Sequence, residues 1–164
     1  MDDVVEHILI DDFPLKWRFA EDASKWTVLP PEDLARFRPL TEQASRTLWT
    51  QLVADNAWHH SVLSQDQLRV NSDELGHVVV DDDAEPASEH QRIRDFLTTQ
   101  ISLPLDTQVL FFWGATCSVD TTWDVFIRYW DDFCYPSDDS NVAVLDGANK
   151  VVVFHENRLS IHPC

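Results

Sequence analysis

Two apolar runs of strand length, Val142-Ala143-Val144-Leu145 and Lys150-Val151-Val152-Val153-Phe154, flank the dipeptide Asp146-Gly147. Such residues suit a pleated surface, and Asp-Gly is a tight-turn signal, so the segment reads as an antiparallel hairpin. Arg158-Leu159-Ser160-Ile161 reads as one more short strand. Just upstream, Trp123, Phe126, Ile127 and Trp130 recur at i, i+3, i+4 and i+7, one apolar face of a helix. Thr121 with Asp124 three residues on has the spacing of a capping box at its start. A striped helix beside a hairpin leaves two apolar surfaces that must cover each other. The expected fold is therefore α+β, with helices packed on a mostly antiparallel sheet built chiefly from the second half of the chain.

The remaining segments fit this scheme. Val109-Leu110-Phe111-Phe112-Trp113 is a continuous apolar run, the pattern of a central strand buried on both faces. Gly76–Val80 reads as a strand, and Glu6–Ile10 as a short first strand halted by Asp11-Asp12 and Pro14. Pro30-Pro31-Glu32-Asp33 resembles a helix start, predicting a short helix over Glu32–Phe37. A second helix starts at Thr41 and ends near Trp58; a third is capped by Ser88 and stopped by Pro104. With 164 residues and no repeat or linker, a single domain over residues 1–164 is expected.

The chain carries 12 Lys+Arg against 29 Asp+Glu, a net charge of -17. That balance opposes binding to nucleic acid or to an anionic membrane surface, both of which recruit basic patches. Its distribution is uneven. Residues 12–46 hold six basic and six acidic residues; residues 73–90 hold seven acids and no Lys or Arg; residues 120–146 hold seven acids and only Arg128. Two acidic segments thus carry most of the excess. Gathered on one face, they would speed encounter with a basic partner and reject wrong ones. The acidic run Asp81-Asp82-Asp83 and the set Asp131, Asp132, Asp138 and Asp139 around Tyr135 are the candidate partner-binding residues. An aromatic anchor inside a charged rim is what a tight protein interface uses.

Catalytic and metal-binding signals are weak. Three glycines, Gly76, Gly114 and Gly147, supply no phosphate-cradling motif. Cys117, Cys134 and Cys164 show no CxxC spacing; the first two read as small buried hydrophobes and the third as a free exposed thiol. His59-His60 lack the i, i+4 spacing of helical metal ligands, and neither aspartate run has the alternating calcium pattern. Asp131-Asp132 beside Tyr135 is the one pair with any resemblance to acid–base machinery, but adjacent helical side chains diverge. No enzyme activity, cofactor or metal is expected. The acidic start, with only Ile8-Leu9-Ile10 as an apolar stretch, does not fit a secretory signal, so a cytoplasmic location is expected.

The run Thr121-Thr122-Trp123-Asp124-Val125-Phe126-Ile127-Arg128-Tyr129-Trp130-Asp131-Asp132-Phe133-Cys134-Tyr135-Pro136-Ser137-Asp138-Asp139, followed by its hairpin, resembles a small bacterial domain family of unknown function. The resemblance covers about the last third of the chain, from Phe111 onward. Small acidic domains of this kind resemble immunity proteins of polymorphic toxin systems. What that implies is an acidic protein that binds and neutralises a cognate toxin or effector with a basic surface. Two alternatives stand beside it: a nucleic-acid-mimicking inhibitor of a basic protein, and a small hydrolase using Asp131, Asp132, Tyr135 or a histidine.

Overall fold

The predicted hairpin lies at the centre of a broad sheet. A computed structural model describes residues 5–21, 28–55, 73–135, 137–138 and 141–164. Among them, seven strands form one sheet: β1 (Arg38–Pro39), β2 (Gly76–Val79), β3 (Gln108–Phe112), β4 (Ser118–Thr122), β5 (Asn141–Leu145), β6 (Lys150–His155) and β7 (Arg158–Pro163). Their order is β1-β4-β3-β5-β6-β7-β2, and every neighbouring pair is antiparallel. The second half of the chain supplies the five central strands, and the two outer strands come from the first half. Among the described residues, five α-helices accompany the sheet: α1 (Pro31–Leu34), α2 (Glu42–Leu52), α3 (Pro86–Gln100), α4 (Trp123–Arg128) and α5 (Trp130–Phe133). The fold is α+β. No helix among the described residues is long and apolar enough to cross a membrane.

Strand alternation divides the core in two. Val109, Phe111, Ala143, Val152 and Phe154 face one side, where they meet Ile93 and Leu97 of α3, Trp123 and Phe126 of α4, and Phe133 of α5. Phe112, Val142, Val151 and Val153 face the other, where Trp49 of α2 and the following Val53 and Ala54 cover them. Both faces of β3 are therefore covered, which is why its sequence is a continuous apolar run rather than an alternating one. On the larger side Phe133 packs against the rings of Phe19, Phe111, Trp113 and Phe126 at centroid distances of 5.0, 5.0, 5.7 and 5.4 Å. The Trp113 indole N–H donates to the Phe133 carbonyl at 2.9 Å, satisfying the polar edge of a large, partly buried ring.

Several boundaries depart from expectation for local reasons. Glu85, not Ser88, caps α3; its carboxylate accepts the backbone N–H groups of Ala87 and Ser88 at 3.2 and 2.8 Å. Pro86 at the first helical position starts the helix two residues before Ser88, and the helix ends at Gln100, four residues before Pro104. Thr122, the last residue of β4, rather than Thr121 caps α4, because the helix starts at Trp123 and the Thr122 hydroxyl accepts the Val125 N–H. The Asp124 carboxylate, expected to close a capping box, instead binds Arg128. The Trp123–Trp130 stripe is shared by two short helices that break at Tyr129 (φ -124, ψ 26). Glu6–Ile10 makes one bridge, His7 to Leu40, instead of a strand, and Ile10–Asp12 turns into a 3-10 helix. α2 ends at Leu52 and not near Trp58; Trp58 itself and the pair His59-His60 lie outside the described residues.

Candidate functional site

Charge in this protein is redistributed by folding. Three arginines from the neutral stretch 12–46 reach across the fold to three aspartates of the acidic segment 120–146. Arg18 forks onto Asp138 with bonds of 2.9 and 2.6 Å. Arg36 reaches Asp124 at 3.3 Å, and Arg38 binds the buried Asp120, which also accepts from Gln108 at 2.7 Å. The acidic segment's own Arg128 forks onto Asp33 with two bonds of 2.7 Å and onto Asp124 at 3.0 and 2.6 Å. Asp33, its side chain 1% exposed, also accepts the Tyr129 hydroxyl at 2.7 Å and Arg36 at 2.5 Å. The Arg128 hydrogen bonds hold the Asp33 carboxyl far below the ordinary carboxylate range despite burial. Burial, with the Asp33 carboxylate beside it, pushes the Tyr129 phenol up to about 12. The segment 120–146 is thus largely an internal lattice of ion pairs and not a surface field.

The other acidic segment stays outside. Asp81, Asp82 and Asp83 form an exposed turn between β2 and α3. Its shape is fixed from three directions. The Asp83 N–H donates to the Asp81 carboxylate at 3.0 Å, the Asp81 N–H donates to Glu89 at 2.7 Å, and the Asn157 side-chain amide donates to Asp82 at 2.5 Å. Asn157 can serve because it sits, with Glu156, in the two-residue β6–β7 turn, both at positive φ (60° and 50°). The acids also lie at the N-terminal end of α3, where the helix dipole favours negative charge. Glu85 remains an ionised cap, its carboxyl lowered by the Ser88 hydrogen bonds.

The first turn of α3 joins this acidic turn to Asp131. Glu89 holds Asp81, and the next residue, His90, lies 3.3 Å from the exposed Asp131 of α5. The His90 ring stacks on Trp130 at 5.8 Å, and the Trp130 indole donates to the His90 carbonyl at 3.2 Å. Its Asp131 partner raises the His90 pKa against the opposing effect of burial. Asp81, Asp82, Asp83, Glu85 and Asp131 therefore border one stretch of surface around the start of α3, although nearly fifty residues of sequence separate the turn from α5.

The other expected site residues lie elsewhere. Asp132 is buried. Asp138 is turned inward: besides Arg18 it accepts the Asn141 amide at 2.9 Å and the Tyr135 N–H at 3.2 Å. Burial alone would raise its pKa, but these bonds together hold it down. Tyr135 is half-buried, with the Arg18 guanidinium 5.8 Å from its ring centroid. Asp139 lies outside the described residues. Glu85 adds an exposed acid to this face, His90 is half-buried, and Glu89 is buried and paired with Arg92 at 2.8 and 2.6 Å; none of the three carries a local signal beyond membership of the acidic run. Only helix packing brings His90 to Asp131.

Catalytic geometry is weak at the Arg18–Asp138 pair. A hollow of about 490 Å³ beside it is lined by Trp113, Cys117 and Asn141, among others, and by no histidine. Burial pushes the Cys117 thiol up to about 12 and raises that of Cys134 further, so neither is a thiolate at neutral pH. Among the described residues no three His, Cys, Asp or Glu side chains gather as metal ligands would.

A family model described as "Protein of unknown function (DUF2947)" matches residues 7–160, so the likeness extends well upstream of the motif at Thr121–Asp139. No curated protein and no solved structure matches the chain.

Proposed function

We propose, for a chain that belongs to the DUF2947 family, that it is a protein-binding domain that engages a basic partner through the exposed acids at the start of α3. The observation that carries this reading is the selective survival of surface charge. Asp120, Asp124 and Asp138 are absorbed by arginines, whereas Asp81, Asp82 and Asp83 are held outward and joined to Asp131 through Glu89 and His90. A preset cluster of like charge accelerates association with a complementary surface and penalises wrong partners. Within that reading, the fitting setting is that of an acidic immunity protein whose partner is a cognate toxin. Rapid capture there protects the producing cell.

The test is co-expression and pull-down of the proteins encoded beside this gene. The triple variant Asp82→Lys, Asp83→Lys, Asp131→Lys should retain its melting temperature within a few degrees. Its association rate should fall roughly ten-fold or more at low salt and lose its salt dependence. Unchanged association by that variant would remove the basis of the proposal. Asp138 is unsuitable for such a test, because reversing it would break the Arg18 pair and the fold around it.

A further inference from the structure

β2 is the outermost strand on one side of the sheet, paired only with β7 among the described residues. In an antiparallel ladder, alternate residues turn both backbone groups to the same side. The register Gly76↔Ile161 and Val78↔Leu159, with the Val80 N–H donating to Asn157 at 2.7 Å, assigns the even positions to β7. His77 and Val79 therefore turn their backbone groups to the open edge. The Val79 carbonyl there is taken by Arg92 at 2.7 Å. Among the described residues, the two remaining N–H groups and the His77 carbonyl form a short open ladder of the kind that accepts another strand. Val79 and Leu75, 56% and 53% exposed, supply an apolar ledge along it.

Charge sets the polarity of the edge. Before the strand, Glu74 is occupied by Arg158 at 2.5 Å and by His77 at 2.5 Å. After it come Asp81, Asp82 and Asp83, directed outward. One end of the edge is therefore much more acidic than the other. A second copy of this chain is a poor occupant. Parallel pairing would place the two Asp81–Asp83 turns side by side, and antiparallel pairing would offer each turn only Arg158 and His77, both already engaged by Glu74.

We propose that the open edge of β2 receives an extended segment of the partner as an eighth strand. Backbone hydrogen bonds form at His77 and Val79, an apolar side chain lies on Val79, and Lys or Arg residues follow where the segment passes Asp81–Asp83. This rests on the acidic-face reading above and deepens it by naming the partner element.

The probe is a ten-residue peptide of alternating Val and Thr with three lysines at one end. Its controls are the same peptide with three glutamates and one N-methylated at alternate residues. With the lysine peptide at millimolar concentration, amide hydrogen exchange at His77 and Val79 should slow ten-fold or more. The glutamate and N-methylated peptides should leave it unchanged. Relative to His77→Ala and Val79→Ala, which remove the same side chains, including the His77 contact to Glu74, His77→Pro and Val79→Pro remove only outward N–H groups, at positions where an edge strand tolerates proline. Each should keep the melting temperature and weaken the lysine peptide at least ten-fold. If the peptide binds but neither N-methylation nor proline matters, while Asp82→Lys/Asp83→Lys abolishes binding, strand addition is overturned and the acidic-face reading stands. Binding that survives the charge reversal overturns both. No protection at His77 and Val79, or their protection in a concentration-dependent dimer without peptide, overturns the assignment of the occupant.

Discussion

Asp33 shows how one side chain acquires a structural task that its neighbours in sequence do not announce. It follows Glu32 in the first turn of a four-residue helix, where an acid is ordinarily a solvent-exposed partner of the helix dipole. Here it is buried and accepts bonds from Arg128, Tyr129 and Arg36. Replacing it with Asn removes one of the two carboxylates that hold Arg128 and leaves Asp124 as the remaining counter-charge. We expect Asp33→Asn to cost about 1.5–3 kcal/mol in chemical denaturation, the scale of a hydrogen bond to a charged group. His90 supports a second expectation. Its pKa is raised by Asp131, so the folded state holds a proton that the unfolded chain releases near its ordinary value of 6.5. The stabilisation is complete below that pH and is lost as pH rises through the elevated value. A stability–pH curve for His90→Gln should lack this decline, and an identical curve for the two proteins would contradict the pairing.

At the scale of elements, the helices divide by how they are held. α2 covers the smaller core side, and Thr41 caps it by accepting the Ala44 N–H at 3.1 Å. Thr41→Ala should cost about 1 kcal/mol, measured by denaturant titration. α4 and α5 are too short to be stable alone and depend on the aromatic cluster around Phe133. Their core role was legible from the i, i+3, i+4, i+7 stripe, whereas the break at Tyr129 was not. A helical period describes which side is apolar; it carries no mark of the turn at Tyr129, whose hydroxyl bonds Asp33, far away in sequence. β4 was invisible for a related reason. Ser118, Asp120, Thr121 and Thr122 lack apolar alternation, and the partners that allow their burial, Ser45 at 2.7 Å from Ser118 and Arg38 on Asp120, come from distant segments.

For the whole molecule, the charge lattice links stability to acid. Hydrogen bonds from Arg128, Arg92 and Arg158 hold Asp124, Glu89 and Glu74 below their ordinary values, and Asp33 and Asp138 are lowered as well. An unfolded chain binds protons at these groups at a higher pH than the native one. Their contribution is therefore fully present above the ordinary carboxylate range and is lost as pH falls through the lowered values. Melting temperature should decline steeply on acidification below about pH 4, since model-peptide carboxyls titrate near 4. An Asp33→Asn, Asp138→Asn variant should start lower at neutral pH and decline less steeply.

The sequence by itself determined the elements whose signals are local: the hairpin at Asp146-Gly147, the buried strand through Phe111, the striped helical segment at Trp123–Trp130, and hence the α+β class. Apolar periodicity and turn chemistry are written within a few neighbouring residues, so a linear reading recovers them. Which carboxylates remain at the surface was decided only in three dimensions. Net charge per segment treats Asp138 and Asp82 alike. Arg18 arrives beside Asp138 from 120 residues away, while the β6–β7 turn and α3 hold Asp82 and its neighbours toward water. Coulombic pairing depends on distance through the fold rather than along the chain, and packing alone sets that distance.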